Sequence, residues 1–482
     1  RDRHALPPAP GKAPAVSGGG GALGSARRLL QQTGPLLPLI VLTALSLGAL
    51  EANQGWIRLN FFAHRHAAFL PAGTVQCELT PSKYYCRAAL EDKAGASVIL
   101  SFVSPVMHLL LAPALGAMSD AWGRRAVLVP CQMLSVLPVL FSALFVFLRV
   151  TLFVELALSP LAELPLEALC LAWVADRAVQ EAEVAGAFGL VMAAKSGSFL
   201  LGWVLGNAFS VRMASALSLV ACLLAAVYAA LLLPESLPAR RQRSAEQPLT
   251  MPAAGLRVLG RSGASARLAL ALAVALFCDK GFGEVSQEYL GAQTLEWTKD
   301  LGSLSLILDQ VSSILWFCCV GLLTSVLGTV GTAAFARWAA ILYAVSPVVT
   351  QERWHVALAH FIFAGPMMLT FPVLAASSGA LVAQSEQGLV QGCVAAVASL
   401  AECLGPYAFF LVFNSSGGGP KSSLAASPML VLHLALCTVA LLLLASLRWH
   451  VQGQRRRDPQ DEAGEPAPPL GCGPAAVPSE PA

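Results

Sequence analysis

Charged side chains interrupt several long apolar runs of this 482-residue chain, and they are the residues best suited to chemistry. Burying a charge in a bilayer costs about 2.5–3.5 kcal/mol on insertion scales, so a charge inside a membrane-length run indicates a functional role. A carboxylate in an apolar cavity can also load and release a proton near neutral pH. The candidates for a substrate or proton site are Glu51, Glu163, Glu167, Lys195, Asp279, Lys280, Glu284, Asp309 and Glu402.

One apolar run in the second half of the chain is the most densely charged. Lys280 and Glu284 are four residues apart, so they can pair on one face of a helix. Either Glu284 and Asp279 handle substrate or protons, or a self-neutralising Lys–Glu pair fixes helix packing. Glu163 and Glu167 also share a helix face. There they either share a proton or bind a cation, or they line a solvated vestibule.

A short charged turn, Gly-Ala-Met-Ser-Asp-Ala-Trp-Gly-Arg-Arg, separates two apolar runs at residues 116–125. Such a turn joins two membrane helices and places one carboxylate and two guanidiniums at the membrane surface. We predict a cytoplasmic gate formed by Gly116, Asp120, Gly123, Arg124 and Arg125.

The gate residues have expected partners. Asp120 can meet the positive N-terminal end of a neighbouring helix. Arg124 and Arg125 can pair with lipid phosphates or with acids such as Glu181 and Glu183. These contacts would break when two halves of the molecule rock, so we expect them to favour an outward-open state.

The composition is that of an integral membrane protein. Hydrophobic residues make up 56% of the chain and charged residues 12%, against about 25% charged residues in a soluble domain. Runs of roughly 20 apolar residues match a bilayer core of about 30 Å. The expected fold class is all-α, with twelve transmembrane helices at 36–57, 95–116, 126–148, 151–175, 184–209, 213–233, 267–290, 302–326, 330–350, 354–380, 388–413 and 425–447.

Lys and Arg residues are more numerous on the side of the chain termini, so the positive-inside rule places both termini in the cytoplasm. Arg337 lies near the cytoplasmic end of its run, where its side chain can snorkel to the interface. Residues 58–93 are predicted to form one long outer loop. The predicted organisation is a disordered N-terminus (1–35), a six-helix bundle (36–233), a cytoplasmic linker (234–266), a second six-helix bundle (267–450) and a disordered tail (451–482).

Two internal echoes indicate that the bundles are repeats. Gly321, Ser325 and Gly328 repeat the spacing of Gly116, Asp120 and Gly123 at an offset of 205 residues. A second set, at an offset of 203 residues, pairs Gly189, Val191 and Gly202 with Gly392, Val394 and Gly405. Chance matching in Gly-rich apolar sequence is the alternative for either echo alone.

Several classes of function receive no support from the sequence. A net charge of +3 is too small to argue for nucleic-acid binding. No Cys/His cluster has zinc spacing, and no Ser-His-Asp set or Gly-rich phosphate loop is visible, so we predict no metal site, no cofactor and no enzyme activity. Cys77 and Cys86 share a polar segment and form a disulfide if it faces an oxidising space; otherwise they remain free thiols.

Several segments, in order along the chain, resemble a known family of membrane proteins. Residues 116–125 resemble the loop 2–3 motif of the major facilitator superfamily. Further segments of interest are Trp173-Val-Ala-Asp176, Ala187-Phe-Gly-Leu-Val191, Pro234-Glu-Ser-Leu-Pro238, Thr370-Phe-Pro372, Glu386-Gln-Gly-Leu-Val-Gln-Gly392 and Leu404-Gly-Pro406. Together they resemble the hippocampus abundant transcript family, a branch similar to bacterial tetracycline transporters. This resemblance implies the twelve-helix, two-bundle transporter fold and names no solute.

The chain departs from the family's pattern at three positions. Ala121 stands where a basic residue usually follows the aspartate. In the fifth predicted helix (184–209), called helix 5 here, the pair is Gly202-Trp203 instead of Gly-Pro, which argues against proton antiport. Ala398 stands where the family often has an arginine, and Lys195 occupies the repeat-equivalent position in helix 5. We interpret this as a cation that has moved across the pseudo-twofold axis.

The expected function is secondary active transport of a small organic solute by alternating access, with proton coupling as one option. The chain is expected to act as a monomer among membrane lipids. The alternative is a transporter-like receptor or scaffold that moves nothing. The missing basic residue at position 121 and the missing helix 5 proline leave room for that alternative.

Overall fold

Helices account for all regular structure in the described part of the chain. A computed structural model describes residues 22–67, 77, 83–148, 150–162, 166–178, 181–237, 259–293, 299–349, 352–415 and 428–457. Within these ranges every regular element is helical. This agrees with a composition in which long apolar runs must satisfy their backbone groups internally.

Eight α-helices lie in the first half of the described chain. They are α1 (Ala22–Thr33), α2 (Leu37–His66), α3 (Tyr84–Trp122), α4 (Arg124–Leu148), α5 (Phe153–Ala162), α6 (Leu166–Ala175), α7 (Glu181–Ala208) and α8 (Val211–Leu231). Six α-helices follow in the second half, with one 3-10 turn at Gln384–Glu386. They are α9 (Gly263–Gln293), α10 (Lys299–Val349), α11 (Arg353–Met368), α12 (Thr370–Ala380), α13 (Gln387–Ser415) and α14 (Pro428–Arg457).

Among the described residues, nine helical stretches are long and apolar enough to cross a membrane. Each of the twelve predicted runs coincides with a described helix or pair of helices. The runs 302–326 and 330–350 both lie in α10 and count as one stretch. The run 151–175 is divided between α5 and α6, and the run 267–290 lies in α9; neither is among the nine.

The predicted outer loop is shorter than expected, because α2 continues to His66 and α3 begins at Tyr84. The prediction ended the helix at the last uniformly apolar residues. Beyond them Phe61 and Phe62 are spaced among polar neighbours, yet both pack into a buried cluster. Buried aromatic side chains therefore extend the helix past the end of the hydropathy signal.

The N-terminal stretch predicted to be disordered contains helix α1. Leu29 packs against the main hydrophobic core, and Thr33 is fully buried. Arg28 adds a 3.9 Å ion pair with Glu183. The prediction of disorder for this part of the N-terminus was wrong because a single docked helical face outweighs the polar composition around it.

The linker and tail predictions are also corrected at their edges. Residues 234–237 are ordered and mostly packed, and α9 begins at Gly263. Helix α14 reaches Arg457, past the predicted start of the tail. The remainder of both segments, 238–258 and 458–482, lies outside the described residues.

The backbone echo of the charged turn is confirmed. Gly123 and Gly328 have φ values of 104° and 72°, and they are the positive-φ glycines recorded in the described chain. They occupy matching positions of the two copies. Only glycine adopts such φ values readily, so each copy turns the chain between two predicted helices at a glycine, and Gly328 divides α10 in this way.

The second echo is confirmed by helix packing between the halves. A methyl group on Gly392 would lie 2.8 Å from the carbonyl carbon of Ala112 in α3. One on Gly189 would lie 2.5 Å from the carbonyl oxygen of Phe317 in α10. Small residues of this kind let membrane helices approach closely. The equivalent pairs α3–α13 and α7–α10 therefore join the first half to the second.

The same echo recurs within each half. A methyl group on Gly202 would lie 2.9 Å from the backbone nitrogen of Ala49 in α2, and one on Gly405 would lie 3.1 Å from that of Gly281 in α9. Helix α7 thus packs on α2 as α13 packs on α9. The two halves share their helix packing, as the repeat predicted.

Candidate functional site

Two ion pairs, one from each half of the chain, lie in apolar helices. Glu167 in α6 pairs with Lys195 in α7. Lys280 Nζ in α9 lies 3.0 Å from Glu402 Oε1 in α13. The charge of Glu402 also acts on Lys195, so the pair of the second half lies within electrostatic range of the pair of the first. We call these four residues the central charge cluster.

The central charge cluster is accessible although its residues lie in apolar helices. The Lys195 side chain is 47% exposed and that of Glu167 is 31% exposed. Lys280 and Glu402 are similarly open. Two ammonium groups balance two carboxylates, so the cluster is electrically neutral. A solute that carries charge can exchange partners with such pairs at little net electrostatic cost.

The partner of Lys280 differs from the sequence prediction. Helical spacing indicated Glu284, but the described partner is Glu402 in another helix. Spacing along one helix cannot report a contact between helices, which is why the prediction missed it. The side chains of Glu284 and Glu181, and the whole of Glu163, lie outside the described residues.

Asp279 and Arg337 form a separate, buried ion pair. Arg337 Nη1 and Nη2 lie 2.9 and 2.6 Å from the two carboxylate oxygens of Asp279. The guanidinium also donates to Thr370 Oγ1 at 2.6 Å and to the carbonyl oxygen of Met367 at 3.3 Å. Arg337 is 0% exposed, so the prediction that it snorkels to the interface was wrong. Asp279 is committed to this pair.

Asp309 belongs to a carboxylate–imidazole pair. His360 Nδ1 lies 2.9 Å from Asp309 Oδ1 and 3.1 Å from the hydroxyl of Tyr343. The carboxylate is 20% exposed and the imidazole is buried. Imidazole can pass a proton to or from a neighbouring carboxylate, so this pair is a second candidate for proton handling.

Glu51 is exposed on α2, while its polar neighbours serve packing. Asn53 donates a 2.7 Å hydrogen bond to the carbonyl oxygen of Gly206 in α7. Gln54 donates a 3.1 Å hydrogen bond to Glu155.

The gate residue Asp120 joins the two halves. Its carboxylate oxygens accept hydrogen bonds from the backbone N–H groups of Gly388 at 2.9 Å and Leu389 at 2.8 Å. These groups belong to the first turn of α13, the positive end of the helix dipole. Gly116 permits the approach, since a methyl group there would lie 2.7 Å from the carbonyl carbon of Gly388. The predicted contact of Asp120 with a helix N-terminus is confirmed.

Arg124 is fully buried beneath this contact. Its Nη1 lies 2.6 Å from Asp120 Oδ1, and its Nε lies 2.9 Å from Asp176 Oδ2. The expected pairing with Glu183 is not what the described residues show, because Glu183 lies near Arg28. Arg124 begins α4 and faces the interior, so its partners are acids at the ends of neighbouring helices.

Residues 234–237 complete the charged network. The carboxylate of Glu235 accepts hydrogen bonds from the backbone N–H groups of Arg124 at 2.9 Å and Arg125 at 3.1 Å, which caps the N-terminus of α4. The Arg125 guanidinium donates to the carbonyl oxygen of Ala230. Asp120, Arg124, Arg125, Asp176 and Glu235 together form a charged network at the 116–125 turn. Asp176 and Glu235 were not predicted as site residues, although both lie in segments that carried the family resemblance.

Arg177 flanks this network beyond the end of α6. Its guanidinium carbon lies 3.9 Å from the centre of the Trp173 ring. Burial lowers the pKa of Arg177, while the nearby carboxylates of Asp176 and Glu235 act in the opposite direction. Trp173 in turn donates a 3.1 Å hydrogen bond to the carbonyl oxygen of Pro234, which holds the start of the linker in place.

At another point of the molecule, the structure joins Cys77 and Cys86 by a disulfide, with a Cα–Cα distance of 5.7 Å. Of the two alternatives left open by the sequence, the structure contains the bonded one. The disulfide ties residue 77 of the α2–α3 connection to the start of α3.

Comparisons with known proteins agree with this architecture. The model of the Major Facilitator Superfamily matches residues 90–406. Hippocampus abundant transcript 1 protein from mouse and from human is 25% identical over 326 residues, an alignment that covers 65% of this chain and 65% of each relative. The chain thus spans 65% of the length of these curated relatives.

Three solved structures have a similar fold. The human organic anion transporter MFSD10 (TETRAN) superposes with a TM-score of 0.68 at 20% identity, covering 87% of this chain and 99% of that chain. The fucose:proton symporter FucP of E. coli gives 0.56 at 11% identity, covering 86% and 99%. The proton:xylose symporter XylE gives 0.59 at 11% identity, covering 88% and 96%. At these identities the likeness shows the fold, and the predicted all-α membrane transporter fold is confirmed.

Proposed function

Because this chain belongs to the Major Facilitator Superfamily, we propose that it is a secondary transporter that moves a small organic anion together with a proton. The observation that carries this proposal is the central charge cluster. It presents the ammonium groups of Lys195 and Lys280, one from each half, at accessible positions inside the helical core. An anion between the halves can contact both.

Proton coupling follows from charge balance in the first pair. When a substrate carboxylate binds Lys195, it displaces Glu167 from the ammonium group. A proton that enters with the anion restores the charge balance that the displaced carboxylate has lost. The anion and the proton then enter together, so the charge of the site stays unchanged through the cycle. Asp309 and His360 are the alternative location for the coupled proton.

Alternating access requires a contact between the halves that breaks. The hydrogen bonds from the first turn of α13 to Asp120 are such a contact, since α3 belongs to the first half and α13 to the second. We place this end in the cytoplasm together with both termini. The structure then corresponds to a state closed on the cytoplasmic side, and the bundles 36–233 and 267–450 rock against each other in a monomer.

The similar structures support the substrate class only by analogy. MFSD10 is described as an organic anion transporter, and FucP and XylE are described as proton-coupled sugar symporters. The two lysines of the central charge cluster favour an anion over a neutral sugar, because a sugar would leave both ion pairs undisturbed.

An uptake screen in proteoliposomes tests the proposal. Purified protein is reconstituted, and radiolabelled carboxylates, sugars and amphipathic cations are offered with and without an inward proton gradient. The expected result is uptake of a carboxylate that the gradient stimulates and that protein-free vesicles lack.

Other results would change the assignment. Uptake of a sugar or a cation alone would overturn the anion assignment while retaining transport. No uptake of any solute, with folded protein confirmed by thermal unfolding, would favour a transporter-like receptor or scaffold.

A further inference from the structure

Two thiols and an imidazole meet in the core of the second half, in a cluster that the proposed transport step does not use. Cys278 Sγ lies 3.6 Å from Cys437 Sγ and 3.0 Å from His433 Nδ1. Each of the three side chains is 0% exposed. Their ligand atoms all lie within 4.8 Å of one another.

The fold, rather than the sequence spacing, creates this cluster. His433 and Cys437 are one turn apart on α14, so they share a helix face. Helix α9 packs against that face and brings Cys278 from 155 residues away. The prediction of no metal site rested on the absence of ligands at short spacings, and this separation is far outside any such pattern.

We infer that Cys278, His433 and Cys437 bind one thiophilic metal ion, with Zn²⁺ favoured and Cu⁺ as the other ion of matching chemistry. A Zn–S bond of about 2.3 Å in tetrahedral geometry places two sulfurs about 3.8 Å apart. The observed separation of 3.6 Å matches this value. Thiolate and imidazole are the ligands that both ions prefer.

The second ring nitrogen of His433 has the partner that a metal-binding histidine needs. His433 Nε2 lies 3.3 Å from the carbonyl oxygen of Ala340 in α10. The same nitrogen lies 3.5 Å from Cys437 Sγ, while Nδ1 lies 3.0 Å from Cys278 Sγ. Donation from Nε2 to the backbone carbonyl fixes the tautomer and leaves Nδ1 as the metal ligand. The Phe282 ring, 4.5 Å from the imidazole centre, holds the ring in place.

Charge balance favours a divalent ion at this buried position. Binding of Zn²⁺ displaces one proton from each thiol, and two thiolates with a neutral imidazole then give a site of zero net charge. Phe282, Ala344 and Met429 belong to the same buried cluster, and the neighbouring charges are those of the mutually neutralising pair of Asp279 and Arg337. With Cu⁺ the same two thiolates would leave one negative charge there, which burial disfavours.

The ion would clamp α9 to α14 within the second half. Helix α9 carries Lys280 of the central charge cluster, so the clamp would fix the helix that presents this ammonium group. This inference stands independently of the proposed substrate and its coupling to protons.

Metal analysis of the purified full-length chain tests the site. Elemental mass spectrometry of protein purified under reducing conditions is expected to find about one zinc per chain. Cys278→Ala and Cys437→Ala should each lose that metal. Cys131→Ala, which removes another buried free cysteine outside the cluster, should retain it.

A second readout does not depend on variants that may unfold. Chelation of the wild-type protein should lower its Tm, and re-addition of Zn²⁺ should restore it. Stoichiometric copper in place of zinc would support the site and assign Cu⁺. The inference is overturned if no stoichiometric metal is found and neither ion raises the Tm, if the metal persists in both variants, or if peptide mapping finds a Cys278–Cys437 disulfide.

Discussion

In the ion pair between Glu167 and Lys195, we propose that the lysine binds the substrate anion and the glutamate takes the coupled proton. Lys195→Met removes the ammonium group that would hold the substrate carboxylate. Hydrogen bonds to charged groups contribute about 1.5–3 kcal/mol, so we expect the apparent affinity for the anion to fall about ten- to hundred-fold. Concentration-dependent uptake in proteoliposomes measures this change.

The matching change on the carboxylate separates binding from coupling. Glu167→Gln mimics the protonated state, so uptake down a concentration gradient should persist while stimulation by a proton gradient is lost. Glu91→Gln, on an exposed position of α3, should leave both unchanged. Undiminished stimulation in Glu167→Gln would move the coupled proton to another group, with Asp309 and His360 next in line.

The buried pair of Asp279 and Arg337 predicts a stability effect. Arg337→Leu leaves the Asp279 carboxylate buried without its partner, which costs about 3–5 kcal/mol. Replacing both residues by leucine should cost less than the single change, because no unpaired charge remains. Thermal unfolding in detergent compares the variants.

An exposed ion pair provides the control for this measurement. Arg261 lies 2.8 Å from Glu386 with its side chain 62% exposed, so Arg261→Gln should change stability by about 1 kcal/mol or less. If Arg337→Leu were no more destabilising than Arg261→Gln, the buried pair would not have the role in packing assigned to it.

At the scale of the helices, the two echo glycines between the halves should respond alike. Gly392→Ala and Gly189→Ala each insert a methyl group where backbone atoms already fill the space. Overpacking typically costs about 1–3 kcal/mol, so both variants should lower the Tm and slow transport. Gly95→Ala, where a methyl group would meet nothing within 4 Å, should be neutral or slightly stabilising. A neutral effect at Gly392 and Gly189 would contradict the tight α3–α13 and α7–α10 interfaces.

The same elements show how far hydropathy can predict this fold. Each predicted apolar run coincides with helix in the structure, because a membrane-length run has no other way to satisfy its backbone hydrogen bonds. They did not locate α1, whose stability comes from Leu29 docking on the core. The runs also ended α2 too early, because Phe61 and Phe62 stand near polar residues in the sequence although both side chains pack into a buried hydrophobic cluster. Those contacts are tertiary, so the mean hydropathy of a stretch of sequence does not reveal them.

The candidate site was predictable by residue type more than by partner. Asp120 at the end of α3 indicated a helix N-terminus nearby, and the structure supplies one. Lys280 was matched with a residue four positions away, whereas its partner Glu402 lies in α13. Intrahelical spacing is the only pairing that a single sequence displays, so contacts such as Arg337 with Asp279 could not be found from it.

At the scale of the whole molecule, the Asp120 contact should set the balance between its two conformations. Asp120→Asn removes the charge that faces the first turn of α13. We expect the population closed at this end to fall about ten- to hundred-fold relative to the open one, the equivalent of losing about 1.5–3 kcal/mol. Distance measurements between spin labels at the end of α3 and the start of α13 report the two states.

The repeat provides a matched control for this prediction. Ser325 occupies the position equivalent to Asp120, and its hydroxyl donates to the carbonyl oxygen of Leu322 within its own helix. Ser325→Ala should therefore leave the distance distribution unchanged. Identical distributions for Asp120→Asn and the wild-type protein would show that the contact is not a gate.

Anion–proton symport requires that the protein accumulate an organic anion at the expense of a proton gradient. The most direct measurement follows a labelled carboxylate in proteoliposomes that start with equal concentrations inside and outside, after an inward proton gradient is imposed. We expect net accumulation above the external concentration by the wild-type protein and none by Glu167→Gln, which keeps downhill uptake but lacks the carboxylate that would take the coupled proton. A wild-type protein that moves the carboxylate only to equal concentrations, whatever the gradient, would contradict anion–proton symport.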